Sequence, residues 1–314
     1  MRKVTLSDYR KIIEQYREIA LKNGAIDVVQ CGSVDNPGVS DIDCIVVVRE
    51  WVEANRGLIF YNPEILSVLF THGPFICTKD LLGDLFKYTT LRALGSSRSE
   101  YLTFFDEEKS KIIIAARQVR SWLHFDRILN SNFSDRSILL ILKSVLYSLD
   151  ECKIYFNYNS NYIATITSIK NKLNIIRSSA TEDGIIDNFE LHNLIIECKL
   201  MLSLAGEQMA LWVAFATKIK NSNKHYVMNE FLNILAGNSK FDSISPEIEN
   251  EIIMMRNFRA KIMGGYSASG AIWKGAEFPF HIDCSNLLGY RIWFRRYIKK
   301  IVVPMIRLMR KVHA

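Results

Sequence analysis

Residues 41–48 read Asp-Ile-Asp-Cys-Ile-Val-Val-Val, two carboxylates entering an apolar run. A stretch this short, this rich in β-branched residues and this poor in polar ones predicts a strand covered on both faces, because neither face offers water a polar row. Side chains alternate along a strand, so Asp41 and Asp43 are expected on the same face. Two carboxylates that close repel each other and are costly to take out of water. A cation between them removes both penalties. Magnesium, held by one or two carboxylates together with substrate phosphates, is the natural occupant. The chain must therefore fold into a sheet with layers on both sides and an accessible end where these acids stand.

Upstream, a second apolar run, Ile26 to Cys31, ends at Gly32-Ser33. Glycine there allows close approach of backbone to a ligand, and the Ser33 hydroxyl with adjacent N–H groups suits phosphate oxygens. Eight residues lead from Ser33 to Asp41 through Pro37 and Gly38. In the alternative reading, Ser40-Asp41 only turns the chain into the strand and Asp43 sits on an exposed sheet face. The run that follows Asp43 opposes this, since it needs cover on both sides.

The arrangement Gly32-Ser33, short loop, Ser40-Asp41-Ile42-Asp43 resembles the active-site signature of the polymerase-β-like nucleotidyltransferase superfamily over about residues 25–48. The resemblance implies an α/β (α+β) nucleotidyltransferase domain with a small mixed sheet, followed by an all-α helical domain. It implies that Gly32 and Ser33 bind a nucleoside triphosphate, and that Asp41 and Asp43 are catalytic ligands of two magnesium ions. The implied reaction moves a nucleoside monophosphate from the NTP to an acceptor. Two departures from the family pattern stand out. The helix that usually follows Gly-Ser has room only for a turn. The third carboxylate, commonly the general base, is not obvious; Asp80 is the best candidate because it ends an apolar run, ahead of Asp84 and Glu64. Without that third acid, a nucleotide- or partner-binding module that has lost transfer is the alternative function.

Around this segment the pattern predicts a first helix capped by Ser7 and stopped by Gly24, and further strands at Leu66–Phe70 and Phe75–Thr78. From about Asp106 the periodicity is helical, with helices marked by Ile112–Leu123, Ser134–Phe156, Asp187–Lys220, Met228–Leu235 and Ile248–Met263. The expected organisation is a catalytic domain at 1–105, a helical acceptor-binding domain at 106–263, and a loop with a basic amphipathic segment at 264–314. Weaker signals have plain structural readings: His72-Gly73-Pro74 as a turn, Gly95-Ser96-Ser97-Arg98 as a helix stop, and Gly264-Gly265-Tyr266-Ser267-Ala268-Ser269-Gly270 as a loop without the Gly-Lys-Ser/Thr ending of a P-loop. His281-x-Asp283-Cys284 lacks a second cluster at zinc spacing.

Charge separates the body from the tail. The chain of 314 residues has 40 basic and 33 acidic side chains, net +7. Eight of the basic ones, and no acid, lie from Cys284 onward, which leaves the rest at 32 basic against 33 acidic. A near-neutral body argues against a long nucleic-acid track and favours a small-molecule, glycan-precursor or protein acceptor. In the tail, Phe294, Tyr297, Ile298, Ile301, Met305, Leu308, Met309 and Val312 share one helical face, and Arg296, Lys299, Lys300, Arg307, Arg310 and Lys311 the other. Residues 291–312 thus have three readings: packing on the protein, lying on an anionic membrane surface, or gripping a polyanion. No uninterrupted apolar run reaches about 18 residues, the start of the chain is charged, and the six cysteines are dispersed. Reduced thiols and a cytoplasmic place are the expectation, with the inner face of a membrane as the alternative.

Overall fold

The computed structural model describes residues 4–51, 74–89, 91, 109–130, 133–237 and 244–268. Three strands, β1 (Asp27–Cys31), β2 (Asp43–Val48) and β3 (Phe75–Thr78), form one sheet in that order. The central β2 is antiparallel to β1, with Cys31 opposite Asp43, and parallel to β3, with Ile45 opposite Phe75. Alternation along β2 sends Cys44, Val46 and Val48 to one face beside Val28 and Ile76. Ile45 and Val47 go to the other, beside Val29, Cys31, Phe75 and Cys77. All of these are buried, so both faces have the cover that the apolar run demands.

The first face is covered by α1 (Leu6–Lys22) through Tyr9, Ile12, Tyr16 and Ala20. Thr5 rather than Ser7 caps this helix: the Asp8 carboxylate accepts from Thr5 N at 2.8 Å while the Thr5 hydroxyl accepts from Asp8 N. A reciprocal capping box satisfies two end donors at once, which Ser7 could not do. Gly24 follows the helix at φ +100°, as its sequence position predicts.

The second face meets a helical array: α2 (Leu82–Tyr88), α3 (Lys111–Asn130), α4 (Asp135–Glu151), α5 (Ser160–Glu182), α6 (Asn188–Thr217), α7 (Lys224–Ala236) and α8 (Pro246–Ala268). The described part of the chain is thus mostly helical, with a small mixed sheet. α4, capped by Ser134, packs against α3, α5 and α6, and one continuous core runs from Val29 and Ile45 through Leu142 and Met209 to Ile262. α5 is inconspicuous in the sequence because its buried Tyr162, Ile166, Ile169, Leu173 and Ile176 alternate with Ser, Thr, Asn and Lys. α6 is long and apolar enough to cross a membrane by length and composition; Glu190, Glu197, Lys199 and Glu207 interrupt any continuous apolar run in it. The loop expected from Gly264 is instead helix as far as Ala268, since two glycines weaken a helix by only about 1 kcal/mol each. The Leu66–Phe70 strand and residues 269–314 lie outside the described residues.

Core depth predicts unequal costs. Leu142→Ala, at a fully buried position of α4, is expected to lose about 2–5 kcal/mol in urea unfolding. Ile175→Ala, on the exposed side of α5, is expected to stay within about 0.5 kcal/mol.

Candidate functional site

The end of β1 and the start of β2 are neighbours, so Gly32-Ser33 and Asp41-Ile42-Asp43 stand side by side. The intervening loop holds one turn at Pro37–Val39, with Ser40 N donating to Asn36 O at 2.8 Å, in place of a helix. Asp41 precedes β2 and Asp43 opens it; both are half-buried, with buried Ile42 between them. Their parity with Ile45 and Val47 puts them on the face turned toward the helical array. Gly32 has φ +67°, and a Cβ built on it would lie 2.7 Å from Asp43 Oδ2. The glycine is thus required by the turn and by the Asp43 carboxylate, which takes up the space a side chain would fill.

Three cations from distant helices converge on this loop. Arg136 and Lys143, seven residues apart, lie on one side of α4. Lys143 Nζ donates to Ser33 Oγ at 2.9 Å and to Ser33 O at 3.4 Å. Arg136 donates to Val39 O at 3.2 Å and Ser40 O at 3.0 Å. From α5, Arg177 donates through Nη2 to Ser40 Oγ at 3.0 Å. Tyr9 of α1 completes the clasp, its hydroxyl donating to Ser40 O at 2.5 Å and accepting from Gly38 N at 3.1 Å.

Burial and charge compete at these groups. Desolvation, reinforced by the Arg177 guanidinium, pushes the Lys143 ammonium below the ordinary lysine value, against the pull of Asp41, Asp43 and Asp35. Arg177, 1% exposed, is also lowered by burial, with Tyr147, Asp41 and Asp35 acting the other way. Burial raises the Tyr9 hydroxyl, so it remains protonated to donate to Ser40 O. The site therefore juxtaposes a carboxylate pair, a hydroxyl turn and an ammonium, which is what a metal-bound polyphosphate requires.

Asp80 does not stand beside the Asp41 and Asp43 pair. Parallel pairing sets Thr78 opposite Val48, so Asp80, two residues on, falls at the far end of the sheet from Asp43. That distance is about 16 Å along β2 alone. Asp80 is exposed in a 3-10 turn, and Asp84 is in the first turn of α2; both act on the Cys77 thiol at that far end. Among the described residues, no three His, Cys, Asp or Glu side chains form a metal cage. Cys31, Cys44, Cys77, Cys152 and Cys198 are buried free thiols, and burial holds Cys198 up to about 12. Glu64, His72, Arg98, His281, Asp283, Cys284 and the 291–312 segment lie outside the described residues.

Arg136, Lys143, Arg177 and Tyr9 are the site residues that local sequence reading misses. Lys143 did leave a sign: it is a lone cation inside Ile138-Leu-Leu-Ile-Leu-Lys-Ser-Val-Leu146. A charge set among apolar residues on a half-buried helix side is retained where it has a partner.

Gly32→Ala is expected to cost about 1–3 kcal/mol in chemical denaturation. The cost should shrink by at least about 0.5 kcal/mol in an Asp43→Ala background, where the colliding oxygen is gone. Lys143→Met is expected to be as stable as the parent or more so at neutral pH. The sign follows from the lowered folded-state value: the charged lysine is disfavoured by folding below that value, and stability recovers as pH rises toward the ordinary lysine range. Melting curves at rising pH should show this gain in the parent and not in Lys143→Met.

No family model, no curated protein and no solved structure matches the chain.

Proposed function

We propose that the chain is a metal-dependent nucleotidyltransferase of the polymerase-β-like type, moving a nucleoside monophosphate from an NTP to a hydroxyl or phosphate of a small-molecule, glycan-precursor or protein acceptor. The observation that carries this reading is the contact of Lys143 with Ser33 beside the Asp41 and Asp43 carboxylates at one end of the sheet. Opposite charges placed next to each other, and half-open to solvent, suit a ligand that is itself part cation and part polyanion.

The residues fit magnesium. Asp41, Asp43 and the Ser33 hydroxyl are hard oxygen donors, and the absence of a side chain at Gly32 leaves the Asp43 carboxylate its place. Magnesium, when bound by Asp41 and Asp43, would supply neutralisation of charge on the triphosphate. Ser33 and its neighbouring N–H groups would bind phosphate oxygens, and Lys143 would add a charge-assisted hydrogen bond to them. Arg136 and Tyr9 hold the loop backbone, Arg177 holds the Ser40 hydroxyl, and together they orient Asp41. The helices after residue 106 would present the acceptor. The near-neutral composition of residues 1–283 favours a compact acceptor over a long nucleic acid.

A second reading, nucleotide binding without transfer, is favoured by one observation: among the described residues no third carboxylate joins Asp41 and Asp43 in a group that could hold a metal, although Asp35 stands in the same neighbourhood. Incubation with each α-labelled NTP, magnesium and a lysate-derived acceptor pool separates the two. Transfer of label that Asp43→Asn lowers by at least about a hundredfold supports the enzyme. Labelled nucleotide bound at equilibrium but never transferred supports the binding module. In either case Lys143→Met is expected to weaken NTP binding by about 10- to 100-fold, the worth of a hydrogen bond to a charged group.

A further inference from the structure

We infer that the basic amphipathic segment 291–312 docks, within the same chain, on the exposed apolar stripe of α6. α6 buries one side in the core, yet Phe189, Ile196, Leu200, Leu204, Leu211 and Phe215 are exposed, Phe189 by 70% and Phe215 by 84%. Their spacings of seven, four, four, seven and four residues place them on a single helical face. From first to last the stripe extends about 39 Å along the helix. Single exposed apolar side chains are ordinary; a continuous row of six large ones on one helix marks a surface that is covered.

Charge selects the occupant. Residues 182–217 contain six acids and one base, net −5. Glu197 and Glu207 are paired with Lys172 and Lys224, whereas Glu182, Asp183, Asp187 and Glu190 are exposed around the start of the helix, beside Phe189. A second copy of this chain would bring a like-charged stripe to the same place, and an anionic lipid surface would be repelled by those four acids. The segment 291–312 has the complementary character: eight basic residues and no acid, with Phe294, Ile298, Ile301 and Met305 on one helical face. As a helix kinked at Pro304, 294–312 would extend at most about 27 Å, within the length of the stripe. The 22 residues between Ala268 and Arg291 span up to about 75 Å, ample for a chain leaving α8, which packs on α7, itself packed on α6. Acidic rim would meet basic flank while the two apolar rows close on each other, as in a helix laid in a groove.

The test is a photo-crosslinker at an exposed position of the full-length chain. Leu200→p-benzoylphenylalanine, at a site 64% open to solvent, leaves the core untouched. Light and heavy isotope-labelled proteins are mixed and irradiated, with and without phosphatidylcholine–phosphatidylglycerol vesicles. The expected product joins position 200 to a peptide within 291–312 of the same isotope label, and vesicles leave its yield unchanged. Ile298→Asp combined with Ile301→Asp should reduce that yield at least about tenfold, because two charges then face an apolar row. Light–heavy products would show a second copy on the stripe, lipid adducts would show a membrane there, and no product would show that the stripe stays open. Each of these three outcomes overturns the inference.

Discussion

Ser40 is the point on which the site is hung. It is 1% exposed, and four groups meet it: Tyr9 and Arg136 donate to its carbonyl, and Arg177 and Asn36 N donate to its hydroxyl. These donors come from α1, α4, α5 and the loop itself, so one residue ties the two layers that sandwich the sheet. Asp41 is the next residue, and its direction follows from how Ser40 is held. A hydroxyl that accepts from a buried guanidinium is hard to replace, because the guanidinium would be left with its charge and no partner there.

The clasp also accounts for how a carboxylate pair is tolerated at the edge of a buried strand. Asp35, Asp41 and Asp43 form the negative side of the neighbourhood, and Arg136, Lys143 and Arg177 the positive side. The balance is not perfect: desolvation still lowers both Lys143 and Arg177, and Arg177 Nε is buried without a hydrogen-bond partner among the described residues. Incomplete satisfaction of buried cations beside a hydroxyl turn has a physical cost.

Much of the sheet end was legible in the sequence because it is local. Gly32-Ser33, the Asp41/Asp43 spacing, the strand from Asp43 and the turn at Pro37 all lie within 17 residues, and period-2 alternation fixes which side chains share a face. The purpose of Gly32 was only half legible, since the oxygen that excludes a Cβ belongs to Asp43 across the strand pair. The cations were hidden for the opposite reason. Lys143 and Arg177 reach partners 110 and 137 residues earlier, and no local rule foretells which helix face will land on which loop. The place of Asp80 depends on direction: a carboxylate at the end of β3 lies near Asp43 only if β3 runs antiparallel to β2, and it runs parallel. Pairing sense is set by the connection between strands, and that information is not in the strand itself.

The same distinction between local and distant balance explains why the net charge of +7 says little about the site. Within the clasp, acids and bases are matched at three each, so the composition of this region is silent while its electrostatics are strong. The surplus of basic residues lies from 291 onward, and an exposed acidic group without ion-pair partners among the described residues lies around the start of α6. Electrostatic energy falls with separation and with solvent screening, over about 8–10 Å at ordinary ionic strength. A positive segment can therefore act strongly on α6 if it lies against it, and scarcely at all on Asp41 and Asp43, which have Lys143 and Arg177 in their immediate surroundings. The sequence thus holds two separate sets of charge: one matched within the Ser40 clasp, and one made of an acidic group at the start of α6 and a basic segment from 291 onward.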